Sequence, residues 1–436
     1  MRGGRETFFL TLLAFFLSSS IVSLAKDTMA DLHGHIAYVG INQNIYVFNP
    51  HTGVDIQLTD DASANKRYEW PTWATDGRLA LFASRTSEDG RTPVFEAYVA
   101  DLGSDQPEVV KVYEGVGQVF NYAYWAPKDC SVRKGCRDLA LLLSSLNQGM
   151  FVELVRVTPG ENVLSQTIPG GPPFYFSWSP NGDRMLWHRR VANRQRFDIF
   201  DAISNGIDNT LSIVPGVMNA PSWSPVDDRL LVGARSQNHA QTDLVIVQGG
   251  EAMPLAKDLD GLVSFAWSPD GTMVAYRMAS QRSYGPLFVV DAQTGENLLR
   301  SPGSGVIAFF WSPDSEKIAY ITLANPPGSF NASAAAALVA SRLAQPEFSL
   351  AWSVMGIRDG VTNRFGGFFP TEAMAYLLTY FDQFAQSHRV WSPDSRHLIY
   401  SEIGRGGPVI SVLDTSRPDS VTVSIKEGML GIWSYD

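Results

Sequence analysis

The sequence predicts an all-β protein, a single propeller of four-stranded blades. Three observations carry that prediction. A tryptophan followed by a tight turn recurs along the chain, the recurrence has the length of a propeller blade, and the two ends of the chain supply complementary parts of one repeat.

The recurring strings, each with its tryptophan at the end of an apolar run, are "WPTWATDGRLALFASR" at Trp73, "YAYWAPKDC" at Trp125, "YFSWSPNGDRMLWHRR" at Trp178 and "APSWSPVDDRLLVGAR" at Trp223. They continue with "SFAWSPDGTMVAYRM" at Trp267, "AFFWSPDSEKIAYIT" at Trp311 and "HRVWSPDSRHLIYSE" at Trp391. Successive spacings are 52, 53, 45, 44, 44 and 80 residues. Within a unit, proline fixes φ at the first central position of the turn and glycine accepts the left-handed conformation at its exit. An apolar run such as "MVAYRM" follows, then "LFVVDAQTG" closed by its own turn, then a weaker strand such as "NLLRS". A lone four-stranded sheet of this kind cannot bury both faces. Stacking the sheets around an axis does so, with the tryptophans packed between neighbours.

The ends close the ring. "HIAYVGINQNIYVFNPHTGVDIQLTDD" supplies the second to fourth strands of a unit, and "EGMLGIWSYD" supplies a first strand with Trp433. Pairing them in one blade removes the exposed edges. Seven complete units and this composite predict eight blades, with seven as the alternative if the long gap packs differently. That gap, after Trp311, holds two insertions. Residues 324–346 are alanine-rich and read as a short helix. Residues 370–387 have Pro370 at a helix start, Glu372 in the first turn and His388 just beyond. Met374, Leu377, Leu378, Phe381 and Phe384 follow helical spacing, so this element is expected on a surface as an amphipathic helix.

Composition limits the function. With 436 residues, 45% hydrophobic and 18% charged, the chain is globular. A formal charge of −10 and a pI near 5.2 exclude a general nucleic-acid binder, whose phosphate contacts need basic surface. Residues 1–25 have the layout of a signal peptide, two arginines, an apolar run and small residues ending at Ala25. An uncleaved anchor is the alternative; otherwise residues 26–436 form the exported propeller, periplasmic or extracellular, with no later membrane span. Cys130 and Cys136 in "CSVRKGC" fit a disulfide-closed loop in that oxidising compartment.

The strings at Trp267, Trp311 and Trp391 resemble the repeats of TolB-like propellers, and related blades occur in prolyl-oligopeptidase-type peptidases. The resemblance covers nearly the whole chain after Ala25 and implies the fold, not one activity. The repeats begin close to the expected cleavage site, so the α/β domain that precedes the propeller in TolB is not expected. Nor does the chain carry the Gly-x-Ser-x-Gly elbow of the peptidases.

Candidate site residues lie on the face opposite the Ser-Pro turns, where both insertions emerge. Arg85, Arg189 (with Arg190), Arg235 and Arg277 each close the second strand of a blade and would form part of a ring. Such guanidinium groups bind carboxylate or phosphate, or pair with acids of their own or the next blade. Trp70, Tyr122 and Tyr175 precede the repeat tryptophans and would line the channel mouth beside His388, where aromatic faces suit sugars or peptides. His33 and His35 in "HGH" lack further ligands, so no metal or other cofactor is expected. The expectation is therefore a non-catalytic binding or scaffold module of the cell envelope, presenting one face to a protein partner or to an acidic or saccharide ligand. The alternative is an envelope hydrolase or lyase acting on peptides or polysaccharides.

Overall fold

The computed structural model describes residues 32–436 apart from 104–106, 132, 162, 170, 172–173, 239, 282 and 325–348. The expected signal peptide and nearly all of the first insertion lie outside the described residues. Among the described residues no helix is long and apolar enough to cross a membrane.

Six blades are four-stranded antiparallel sheets, each beginning with a strand that ends at or beside a repeat tryptophan. The first strands are Lys66–Trp73, Gln118–Trp125, Tyr175–Trp178, Ser222–Trp223, Leu262–Trp267 and Ala308–Trp311, in blades 1 to 6. Second strands such as Leu79–Thr86 and Lys317–Leu323 are almost wholly buried, because neighbouring blades cover both their faces. Outermost strands such as Glu108–Val116 are largely exposed.

The seventh blade corrects the expected count of eight. It is a six-stranded sheet in the order His397–Gly404, Gly407–Asp414, Val423–Trp433, Ile36–Gly40, Ile45–Asn49, Val54–Gln57. Val423–Trp433 is one continuous strand serving two partners. Its first half pairs with Gly407–Asp414, Val412 opposite Val423, and its second half with Ile36–Gly40, Ile36 opposite Trp433. No turn separates the halves, and at Gly428 the neighbouring strand comes so close that an added Cβ would lie 2.7 Å from the Val39 carbonyl oxygen. The units counted from Trp391 and Trp433 therefore merge, and the ring has seven blades. The joining of the two chain ends in one sheet is the closure the sequence implied.

Two interactions repeat between blades. The indole Nε1 of Trp125 donates to the Thr72 carbonyl (3.0 Å), that of Trp178 to Tyr124 (3.1 Å), and that of Trp267 to Ser222 (3.3 Å). Those of Trp311 and Trp391 donate to Ala266 (3.4 Å) and Phe310 (3.0 Å). Each acceptor immediately precedes the tryptophan of the preceding blade. Above several indoles lies a cation from that same preceding blade: Arg78 over Trp125, Arg184 over Trp223, Arg229 over Trp267 and Lys317 over Trp391, 4.8–5.7 Å from the ring.

The turns are held from within. Ser268, Ser312 and Ser392 donate to Asp270, Asp314 and Asp394, and accept the backbone N–H of Met273, Lys317 and His397. Where glycine is replaced by serine at the left-handed exit, Ser315 (φ 61°) and Ser395 (φ 59°), the hydroxyl accepts the Asp270 or Asp314 N–H of the preceding turn. That bond offsets the cost of a Cβ in this region.

The helical insertion is amphipathic, as expected, and its apolar face has a specific place. Helix α1 (Glu372–Thr379) buries Met374, Ala375, Leu377 and Leu378 and leaves Glu372, Tyr376 and Thr379 exposed, so it lies on a surface with its apolar face turned to the end of the channel, and the short α2 (Phe381–Phe384) continues it. Met374, Leu377, Leu378, Phe381 and Phe384 join the largest apolar cluster of the ring. The channel end covers the apolar face, and the face that carries Glu372, Tyr376 and Thr379 stays in solvent.

Trp267 and Trp223 make a matched test, since both carry an arginine over the ring but the Trp223 indole N–H has no acceptor among the described residues. Trp267→Phe should cost about 1 kcal/mol more than Trp223→Phe in urea unfolding. Equal losses would show that the inter-blade hydrogen bond contributes nothing.

Candidate functional site

The second insertion builds the site by closing the channel. Thr371 caps α1, accepting the Met374 N–H (3.2 Å) and donating to the Met429 carbonyl (2.7 Å), which ties the helix to the closing strand. Further on, Gln383 acts as a substitute strand. Its Oε1 accepts the Phe176 N–H (3.2 Å) and its Nε2 donates to the Phe176 carbonyl (2.9 Å), while its own carbonyl accepts the Tyr122 hydroxyl (3.0 Å). Phe381 packs on Phe309 and Phe310, and Phe384 on Trp70 and Tyr122. The insertion thus touches blades 1, 2, 3 and 6 directly and seals the end of the channel opposite the Ser-Pro turns.

On the turn face the axis stays open as a funnel of about 340 Å³. Its wall is the ring of repeat tryptophans with the prolines two residues on, among them Pro127, Pro180, Pro225, Pro269 and Pro313. Its floor is the underside of the plug, Asp382, Gln386, His388 and Arg389, with Tyr435 beside them. The Arg389 guanidinium lies 4.0 Å from the Tyr435 ring centre. Gln386 Nε2 donates to the Pro221 and Asp382 carbonyls (both 3.3 Å). The rim is stiffened at blade 2, where the disulfide Cys130–Cys136 (Cα separation 5.5 Å) closes the loop. Arg137 braces the same rim by pairing with Asp76 (3.1 Å) and Asp129 (2.9 Å). Asp138 lies near the two cysteines, but their sulfurs are bonded to each other and do not offer a metal site.

Burial sets the electrostatics of the floor. His388 is pushed down to about 3, because charging a ring enclosed by Trp70, Phe384 and Tyr122 forfeits hydration. Its Nδ1 meets the Ser387 hydroxyl (2.8 Å) and its Nε2 the Thr72 hydroxyl (3.3 Å). Burial also raises the Asp382 carboxyl, opposed by the charge of Arg277.

The eight candidate ligand-binding residues divide. The plug brings together Trp70, Tyr122, His388 and Arg277, all buried, with Tyr175 within electrostatic reach of Tyr376, Tyr380 and Asp382. Trp70 sits at a break in strand register with φ 53°, which turns its ring onto Phe384. Arg277 lies over Phe381 (5.1 Å) and Tyr284 (5.0 Å) and is lowered to about 10 by burial. The other three stand apart. Arg85 pairs with Glu96 (3.0 Å) and Glu114 (3.4 Å), Arg189 pairs with the fully buried Asp198 (2.7 Å), and Arg235 is exposed on blade 4. Asp382, Gln386, Arg389 and Tyr435 were not singled out from sequence. The available signal was the polar series Asp382, Gln386 and Arg389 that continues the segment beyond the apolar face of α1.

No family model matches the chain, and no curated protein sequence matches it significantly. Solved structures do. The chain is similar to a eukaryotic initiation factor at TM-score 0.51 and 14% identity, covering 90% of this chain and 85% of that one. It is also similar to oligogalacturonate lyase in complex with manganese (0.49, 14%, 87% and 97%) and to TolB from Acinetobacter baumannii (0.39, 14%, 78% and 79%). At such identities the likeness shows the fold alone: the chain is a β-propeller whose structural neighbours include TolB and a lyase.

Two outcomes follow from these positions. Arg189→Ala should cost about 3 kcal/mol, because it strips a buried carboxylate of one partner, whereas Arg235→Ala should stay within about 0.5 kcal/mol. Comparable effects in denaturant melts would contradict the division. His388 is depressed on folding, so the unfolded chain binds the extra proton between about 3 and the ordinary histidine value of 6.5. Stability carried by the neutral ring is therefore complete above 6.5 and is lost as pH falls towards 3. His388→Gln should flatten that part of the stability profile, and an unchanged acid limb would refute the assignment.

Proposed function

We propose that this chain is an exported, non-catalytic binding propeller that receives a short protruding segment of a protein partner in its axial funnel. The observation that carries this reading is the sealed channel. Among the described residues, the plug fills the axis on one face and leaves an entrance on the other, walled by rigid indole and proline rings and floored by a few polar groups. An apolar, preformed cavity with few convergent polar groups is the usual form of a ligand site. Its modest volume suits a loop tip or chain end more than a folded surface. The braced rim loop supports it further, because a preorganised rim lowers the entropy lost on binding. Export rests on the signal-like first 25 residues and on the disulfide at the rim.

The test places charge at the funnel rim. Pro180→Glu with Pro313→Glu should leave thermal stability nearly unchanged and abolish capture, from an envelope extract of the source organism, of a partner held by the unaltered protein. Retention of that partner by the variant would overturn the funnel as the site.

A further inference from the structure

We infer that the opposite face carries a second binding site, a groove for an extended acidic peptide segment. This goes beyond the funnel reading and does not depend on it. The groove, about 780 Å³, runs between the closing sheet and blades 1 and 2. Three chain segments shape it: the turn at 41–43, the entry to blade 1 at 63–67, and the hairpin between the second and third strands of blade 1. Lys66, Arg67, Arg85 and Arg91 line it, and no carboxylate does among the described residues, on a chain whose formal charge is −10.

The four cations have different duties. Lys66 is held by Asp61 (2.7 Å) and Glu96 (3.3 Å), and Arg85 by Glu96 and Glu114, which Lys111 also pairs with, so three cations and three carboxylates form a neutral network at the groove. Arg67 and Arg91 are exposed and make no ion pair among the described residues. The nearby Asp89 spends its oxygens inside its own turn, on Ser87, Thr92 and the Arg91 N–H. Two planar guanidinium forks therefore stand uncommitted at one cavity, and such forks match carboxylates.

The remaining lining selects the class of ligand. The amides of Gln43 and Asn65 and the Thr86 hydroxyl make no side-chain hydrogen bond among the described residues, and amides suit the donors and acceptors of a peptide backbone. Ile41 and Val119 are exposed at 56% and 49%, offering apolar contact beside the cations. Among the described residues no aromatic ring lines the groove, so they offer no stacking surface of the kind a saccharide uses. Charge, amides and exposed aliphatic groups together fit a segment in which acidic and apolar side chains alternate.

The experiment is fluorescence anisotropy of the purified protein with a labelled nine-residue peptide of alternating Glu and Leu. Its Gln/Leu counterpart, an alginate tetrasaccharide and inorganic phosphate are run beside it. The Glu peptide should bind, weaken with added salt, and lose at least about tenfold in affinity on Arg67→Ala with Arg91→Ala, as expected when charge-assisted hydrogen bonds are removed. The Pro180→Glu, Pro313→Glu variant should bind it unchanged, which separates this site from the funnel. No binding of the Glu peptide, equal binding of the Gln peptide, or an unchanged affinity in the double arginine variant would overturn the proposal. Tighter binding of the tetrasaccharide or of phosphate than of the peptide would overturn it too.

Discussion

The ring depends on one bond repeated between blades, an indole N–H given to the backbone of the preceding sheet. Sheet packing alone is slippery, because apolar faces tolerate small rotations about the axis. A hydrogen bond from Trp125 to Thr72, or from Trp391 to Phe310, fixes the angle and height of a blade against the last; blades 2, 3, 5, 6 and 7 have it, while the Trp73 and Trp223 indoles of blades 1 and 4 have no acceptor among the described residues. The acceptor is a carbonyl beside the preceding tryptophan, so a lock also holds the strand end that carries that tryptophan. The cations over several indoles cover the ring faces from the turn side, and the same blade that accepts the bond supplies them. Scaffold and funnel are consequently built from the same atoms: the tryptophans that set the blade angle are also the wall of the cavity.

A ring fixed in this way leaves an axis too wide for the inner strands to fill. The second insertion solves that with helices, and the match is chemical as well as steric. The inner edge of a first strand exposes backbone groups that water would otherwise satisfy, and Gln383 pairs with both groups of Phe176 as a neighbouring strand would. Around it the plug is apolar. Arg277 is the exception, a buried guanidinium resting on Phe381 with donors unmet among the described residues, and it draws partial compensation from Asp382. Asp382 within α2 and Gln386, His388 and Arg389 after it collect on the underside of the plug, which gives the funnel a polar floor beneath an apolar wall.

Much of this was legible in the sequence because it is local. Tryptophan spacing, the Ser-Pro turns and the complementary chain ends each depend on residues a few positions apart, and the structure keeps them all. Blade number was not local: it turned on whether 423–433 bends or breaks, and the run contains no turn-forming pair to mark a break. The helix was recognisable from Met374 to Phe384, but amphipathic spacing says that a face is buried and not where. The arginines show the same limit. Arg85, Arg189, Arg235 and Arg277 occupy equivalent ends of second strands, yet their surroundings come from third strands and from the plug, where no repeat constrains the residue. Equivalent backbone positions therefore carry an ion pair, a buried pair, an exposed charge and a cation held on aromatic rings.

That asymmetry has a functional reading. A propeller's symmetry is a property of its packing residues, and chemistry requires that the symmetry be broken somewhere. Here it is broken twice. The segment from Thr371 to Arg389 closes the axis on one side, so among the described residues the axial entrance is on the turn face. The closing sheet breaks it again, since a strand shared between two halves of the sheet brings the turn at 41–43 beside blade 1 and opens a groove there. The groove's unpaired arginines, Arg67 and Arg91, lie outside the repeated positions. An acidic protein can therefore hold a cationic site without disturbing the inter-blade locks, because the charges that serve binding and the charges that serve folding come from different residues.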